Sequence, residues 1–213
     1  MNQMIERIGQ LGIVPVVAIE DAKDAEQLGS ALLGGGLPCA EITFRTKAAQ
    51  ESIAIISNKF PEMIVGAGTV LTIEQAVQAK VSGAKFIVTP GFDDDVVNWC
   101  LSNNLPVTPG VITPTEINMA LKKGLTTLKF FPAEASGGIK LLKAISGPYG
   151  SVRFIPTGGI NTQNLSDYLS LSNVHACGGS WMVKKQLIST GQFAEITRLT
   201  KAALEIVKTV KGG

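Results

Sequence analysis

Apolar and polar positions alternate along this 213-residue chain in two distinct rhythms. Short apolar runs occur at 13–19 (IVPVVAI), 38–44 (PCAEITF), 63–68 (MIVGAG), 84–90 (AKFIVTP), 105–110 (LPVTPG), 126–132 (TTLKFFP), 152–159 (VRFIPTGG) and 174–179 (VHACGG). Their length and β-branched content predict buried strands. Between them lie longer amphipathic stretches, such as QLGSALLGGG, which places Leu28, Ala31 and Leu32 at helical spacing. Helix starts are marked in the sequence. Thr113-Pro114-Thr115-Glu116 combines a cap, a proline at the first helical position and a glutamate three residues after the cap. Thr72-Ile73-Glu74-Gln75 repeats that pattern, and Asp93, Asp94 and Asp95 set negative charge where a helix dipole favours it.

Strand and helix alternating eight times predict a parallel sheet, and eight such units predict a (β/α)8 TIM barrel formed as one domain over residues 1–213. An open doubly wound sheet is the structural alternative. No Pro/Ser-rich linker or low-complexity segment interrupts the series.

Composition narrows the functional classes. The chain is 45% hydrophobic and 17% charged, which provides for a sizeable core. A formal net charge of +2 gives no electrostatic case for nucleic acid or an anionic membrane as partner. Glu6 and Arg7 stand where a signal peptide needs apolar residues, and the run at 13–19 is too short to span a bilayer. Three cysteines, Cys39, Cys100 and Cys177, form no CxxC pair and predict reduced, buried thiols in a cytoplasmic protein. His175 is the single histidine and stands on an apolar run, so packing is its expected role. With no visible ligand set, no metal site is expected.

Chemistry in a barrel of this kind gathers at the C-terminal strand ends. Those ends carry Glu41, Arg45, Thr69, Pro90, Lys129, Phe131, Thr157-Gly158-Gly159 and Gly178-Gly179-Ser180. Alternation along a strand places Glu41, Thr43 and Arg45 on one face, and Thr127, Lys129 and Phe131 on one face of another strand. Lys129 interrupts an apolar run. An isolated ammonium in an apolar interior is costly, and the free amine that burial favours is a nucleophile for carbonyl carbon. The plainer readings are a lysine snorkelling to water, or one paired with Glu41 for structure alone. Lys85, at the start of its run, is expected to snorkel. Lys140, Lys143, Lys184 and Lys185 fall on solvated helix faces.

Glu41 is read either as a general acid/base or as the salt-bridge partner of Arg45. Glu134 is a competing base, placed lower because it follows Pro132 in a loop. Arg45 offers a planar fork for a carboxylate. Thr69 offers a hydroxyl, or else a helix cap. The two glycine pairs read as turns entering helices, suited to an anion.

Taken together, EITFRT (41–46), GAGT (66–69), VTPG (88–91), LKFFPAE (128–134), PTGGI (156–160) and GGS (178–180) resemble the 2-keto-3-deoxy-6-phosphogluconate (KDPG) aldolases, whose members often also cleave 4-hydroxy-2-oxoglutarate. The likeness extends from about residue 5 to about residue 205. It implies a metal-independent, cofactor-free class I aldolase on a (β/α)8 barrel, usually a homotrimer, acting on a phosphorylated 2-keto acid and pyruvate. It also implies Lys129 as the Schiff-base lysine and Glu41 as the proton shuttle. Arg45 and Thr69 would contact the carboxylate, and Pro90 and Phe131 would line the pocket. Gly158, Gly159, Gly179 and Ser180 would hold phosphate, with Thr157 in the same substrate-binding set. Three readings compete with it: an aldolase for the galactonate-series epimer, a phosphosugar isomerase using Glu41 as base without an imine, and a non-catalytic phosphometabolite sensor.

Overall fold

The computed structural model describes residues 3–212. Its strands are β1 (Ile13–Val17), β2 (Cys39–Thr43), β3 (Ile64–Gly68), β4 (Ile87–Val88), β5 (Val107–Thr108), β6 (Gly110–Val111), β7 (Thr127–Phe130), β8 (Arg153–Pro156) and β9 (Cys177–Gly179). Each falls within one of the apolar runs, except that β6 runs one residue past the run at 105–110. The helices are α1 (Gln3–Leu11), α2 (Ala25–Gly34), α3 (Ala49–Lys59), α4 (Ile73–Val81), α5 (Asp94–Ser102), α6 (Pro114–Lys122), α7 (Gly138–Ser146), α8 (Leu165–Leu169), α9 (Lys185–Ser189) and α10 (Phe193–Lys211).

All the ladders are parallel. They form a six-stranded sheet in the order β5-β4-β3-β2-β1-β9 and a three-stranded sheet in the order β6-β7-β8. Two isolated parallel bridges, Phe154 with Val174 and Thr157 with Gly178, link the β8 and β9 regions. The fold is therefore α/β with parallel strands arranged in two sheets. The expected fifth strand is divided. Pro109 has no N–H to give to a ladder, so the chain pairs with β4 before it and with β7 after it. At Gly110 a Cβ would stand 2.1 Å from the Pro90 carbonyl oxygen, so only glycine permits that approach.

The sequence signals for helix starts act as read. Thr113 and Glu116 form a reciprocal capping box with Pro114 at the first position of α6. Thr72 caps α4 by accepting from the Gln75 N–H. The Gln75 side chain reaches one residue further back than expected, to the Leu71 N–H at 2.7 Å. Asp93 accepts from the Val96 N–H at the start of α5. In α2, Leu28, Ala31 and Leu32 face the core.

The N-terminal strand ends are tied down by groups that play no part in the cavity at the other end. The Lys85 ammonium donates to the Pro61 and Met63 carbonyls at 2.8 and 2.6 Å. His175 is buried. Its Nε2 donates to the Ile5 carbonyl at 2.8 Å, which leaves Nδ1 to accept from Arg153 at 3.4 Å. Burial holds its pKa below the ordinary histidine value, in keeping with a packed neutral ring. Cys39, Cys100 and Cys177 are all buried free thiols. Desolvation pushes Cys100 and Cys177 up to about 12 and Cys39 higher still.

Candidate active site

A cavity of about 250 Å3 opens at the C-terminal strand ends. The ends of β1, β2, β7, β8 and β9 and the turns after β3 and β4 supply its walls. Arg45, Thr69, Pro90, Lys129, Phe131, Thr157, Gly158, Gly159, Gly179 and Ser180 all line it, so the structure brings together every expected site residue except Glu41. A cavity of about 290 Å3 lies at the opposite strand ends, beside Ile5, Pro106 and Thr127, and has no charged side chain in its walls. Chemistry that needs an amine, an acid or a guanidinium cannot be placed there.

Lys129 is 4% exposed and Glu41 3%. Strand geometry puts both inside: Lys129 pairs in register with Gly110 and Ile155, and Glu41 with Val16 and Gly66. Lys129 Nζ lies 3.7 Å from Glu41 Oε1. That is an ion-pair distance but too long for a hydrogen bond, and Oε1 has no hydrogen-bond partner. Glu41 does not line this cavity but shares a small interior void with Lys129, which lines both. The Phe131 ring covers the amine, its centroid 4.8 Å from Nζ. The snorkelling reading of Lys129 fails, because the side chain is enclosed.

The alternative pairing of Glu41 with Arg45 is not formed. Arg45 instead donates from Nε to Thr43 Oγ1 at 3.0 Å, and Thr43 donates to the Val17 carbonyl at 2.6 Å. Among the described residues Arg45 enters no ion pair, which leaves its fork facing the cavity. Thr43 was legible as a member of the polar face, but its part in aiming Arg45 was not. Thr69 is not a helix cap, since Thr72 fills that place. It sits in the left-handed region at φ 55°, a conformation that costs a β-branched residue on the order of 1–3 kcal/mol.

The glycine turns differ from expectation in one respect. Gly158 and Gly159 both have positive φ, at 99° and 84°, but no helix follows directly, and α8 begins only at Leu165. Ser180 leads into a single 3-10 turn, Trp181–Val183. Backbone N–H groups and the exposed Ser180 remain to meet an anion, without an α-helix dipole behind them. Glu134 does not line the cavity. Its carboxylate accepts from the Tyr168 hydroxyl, and its backbone N–H donates to the Gly158 carbonyl at 3.1 Å. Burial, and then the bond to Glu134, holds the Tyr168 phenol well above its ordinary range, so it remains a donor. Lys185 pairs with Glu20 at 2.7 Å on the surface, and Lys140, Lys143 and Lys184 are exposed as expected.

No group of three or more His, Cys, Asp or Glu side chains that could hold a metal occurs among the described residues. An enclosed amine beside an acid, opening onto a cavity with one free guanidinium, defines a lyase of the Schiff-base type. A model of the KDPG and KHG aldolase family matches residues 4–199, and the chain belongs to that family. It is 48% identical to the 2-dehydro-3-deoxy-phosphogluconate aldolase of Haemophilus influenzae, over 97% of this chain and 98% of that one. It is 40% identical to the KHG/KDPG aldolase of Escherichia coli, over 92% of each. The crystal structure of KDPG aldolase from Legionella pneumophila, with pyruvate captured as a covalent carbinolamine intermediate, superposes with a TM-score of 0.91. It is 38% identical, and the match covers 93% of this chain and 97% of that one.

Proposed function

We propose that the protein is a class I aldolase that reversibly cleaves KDPG to pyruvate and glyceraldehyde 3-phosphate, and 4-hydroxy-2-oxoglutarate to pyruvate and glyoxylate. The observation that carries this reading is Lys129, an enclosed amine 3.7 Å from a buried carboxylate. The free amine of Lys129 attacks the 2-keto carbon of the substrate. Loss of water from the carbinolamine gives an iminium, with Glu41 moving the protons. The iminium withdraws electrons as the C3–C4 bond breaks, while Glu41 takes the proton of the C4 hydroxyl. The aldehyde departs, and the enamine left on Lys129 is protonated at C3 and hydrolysed to pyruvate. Arg45 and Thr69 hold the carboxylate and fix the reacting carbon against the amine. Phe131 and Pro90 wall the reacting end, and Thr157, Gly158, Gly159, Gly179 and Ser180 receive the phosphate.

Borohydride reduction with pyruvate, followed by peptide mass mapping, tests the assignment. The adduct is expected on Lys129, and Lys129→Ala is expected to abolish both labelling and turnover while leaving the fold intact. An adduct elsewhere, or residual cleavage at a tenth of the wild-type rate, refutes the nucleophile.

The same reading includes a closed (β/α)8 barrel formed as one domain. It is supported by the bridges between β8 and β9 and by the continuity of β5 and β6 through Pro109. It also includes a homotrimer. Ile73, Val77 and Val81 expose an apolar stripe along α4, with Val81 74% exposed and exposed Leu71 just before the helix, which supports self-association. Trimeric order rests on the family resemblance. A cytoplasmic location is supported by three unpaired, buried thiols.

A further inference from the structure

We infer that Gly68 is a positioning residue: the side chain missing from β3 leaves the space in which the Glu41 carboxylate stands beside Lys129. The inference rests on the aldolase reading, with Glu41 as its proton carrier. In register, β3 sets Gly66 opposite Glu41 and Gly68 opposite Thr43, so Glu41 leans diagonally across the neighbouring strand. A Cβ on Gly68 would lie 2.1 Å from Glu41 Oε1 and 2.7 Å from both Cδ and Cγ. Those three atoms are the nearest it would meet, so the carboxylate is what excludes a side chain there. The backbone does not require glycine at this position, because Gly68 is not among the residues with positive φ.

Gly66 shows the same device put to another use. A Cβ there would lie 2.3 Å from the Phe86 ring, so the two glycines of β3 make one space for an aromatic ring and one for an acid. The second space matters because Oε1 has no hydrogen bond to aim it. Shape must hold it 3.7 Å from the amine. A methyl group on Gly68 would force the carboxylate away from that position. Catalysis falls by about a hundredfold for a misplacement on the order of 1 Å.

The test is Gly68→Ala, made in the wild type and in Glu41→Ala. In the wild-type background, exchange of the pyruvate methyl protons with deuterated solvent is expected to fall by about a hundredfold. KM for pyruvate and the amount of imine trapped by borohydride at saturation should change far less. In the Glu41→Ala background the added methyl should change neither exchange nor melting temperature. Wild-type exchange by Gly68→Ala, or an equal loss in both backgrounds, overturns the inference. If Gly68→Ala alone fails to fold, the double variant must fold, and its failure to do so is also decisive against it. Should the wild type form no borohydride adduct at all, the aldolase reading falls. The crystal structure of Gly68→Ala then decides the positioning claim by whether the carboxylate has moved.

Discussion

Thr43 has no reaction to perform, yet it determines where a guanidinium points. Its hydroxyl donates to the Val17 carbonyl and accepts from Arg45 Nε. Thr43→Val keeps the volume and removes both bonds. A lost bond to a charged group is worth about 1.5–3 kcal/mol, so KM for pyruvate and for KDPG is expected to rise by roughly ten- to a hundredfold with kcat much less affected. Steady-state kinetics with both substrates check this. Single residues were legible where they broke a pattern. Lys129 stood out because an ammonium interrupts an apolar run, and Glu41 because alternation gave it the same interior face. Gly68 left no such trace, because the reason for a glycine lies on a neighbouring strand and depends on register. The alternative pairing of Glu41 with Arg45 is absent for a related reason: shared strand face is not contact, and a nearer hydroxyl takes the bond.

At the scale of elements, the segment after β7 props up the turn after β8. Ala133 and Glu134 donate their N–H groups to the Thr157 and Gly158 carbonyls at 2.8 and 3.1 Å. Tyr168 on α8 holds the Glu134 side chain from below. The proposed phosphate turn is thus braced by Ala133, Glu134 and Tyr168, none of which lines the cavity. Tyr168→Phe removes the brace with little change of volume. KM for KDPG is expected to rise by roughly fivefold, about 1 kcal/mol, while KM for 4-hydroxy-2-oxoglutarate, which has no phosphate, stays unchanged. An equal effect on both substrates would show that the brace serves the fold and not the turn. A threonine cap at α4 and a full capping box at α6 made the starts of those helices readable. The division of the fifth strand and the gap between Gly159 and α8 were not, since both depend on which backbone groups find a partner across the sheet.

At the scale of the whole molecule, the apolar face of α4 lies outside the core. Ile73, Val77 and Val81 recur every four residues, so they form one exposed stripe, the surface that the proposed self-association would cover. If the proposed trimer forms through this stripe, Val77→Lys at its centre is expected to give single chains in sedimentation velocity, with the fold retained by circular dichroism. Sequence reading did not separate this surface from the core, because core and interface use the same kinds of side chain. The buried cysteines lead elsewhere. All three thiols are sealed from solvent, and those of Cys100 and Cys177 ionise only near pH 12. At neutral pH the folded protein is therefore inert to maleimides and iodoacetamide. One cysteine introduced at an exposed position on the cavity rim, outside the proposed substrate contacts, would accept a fluorophore there alone and report substrate arrival without any native cysteine having to be removed.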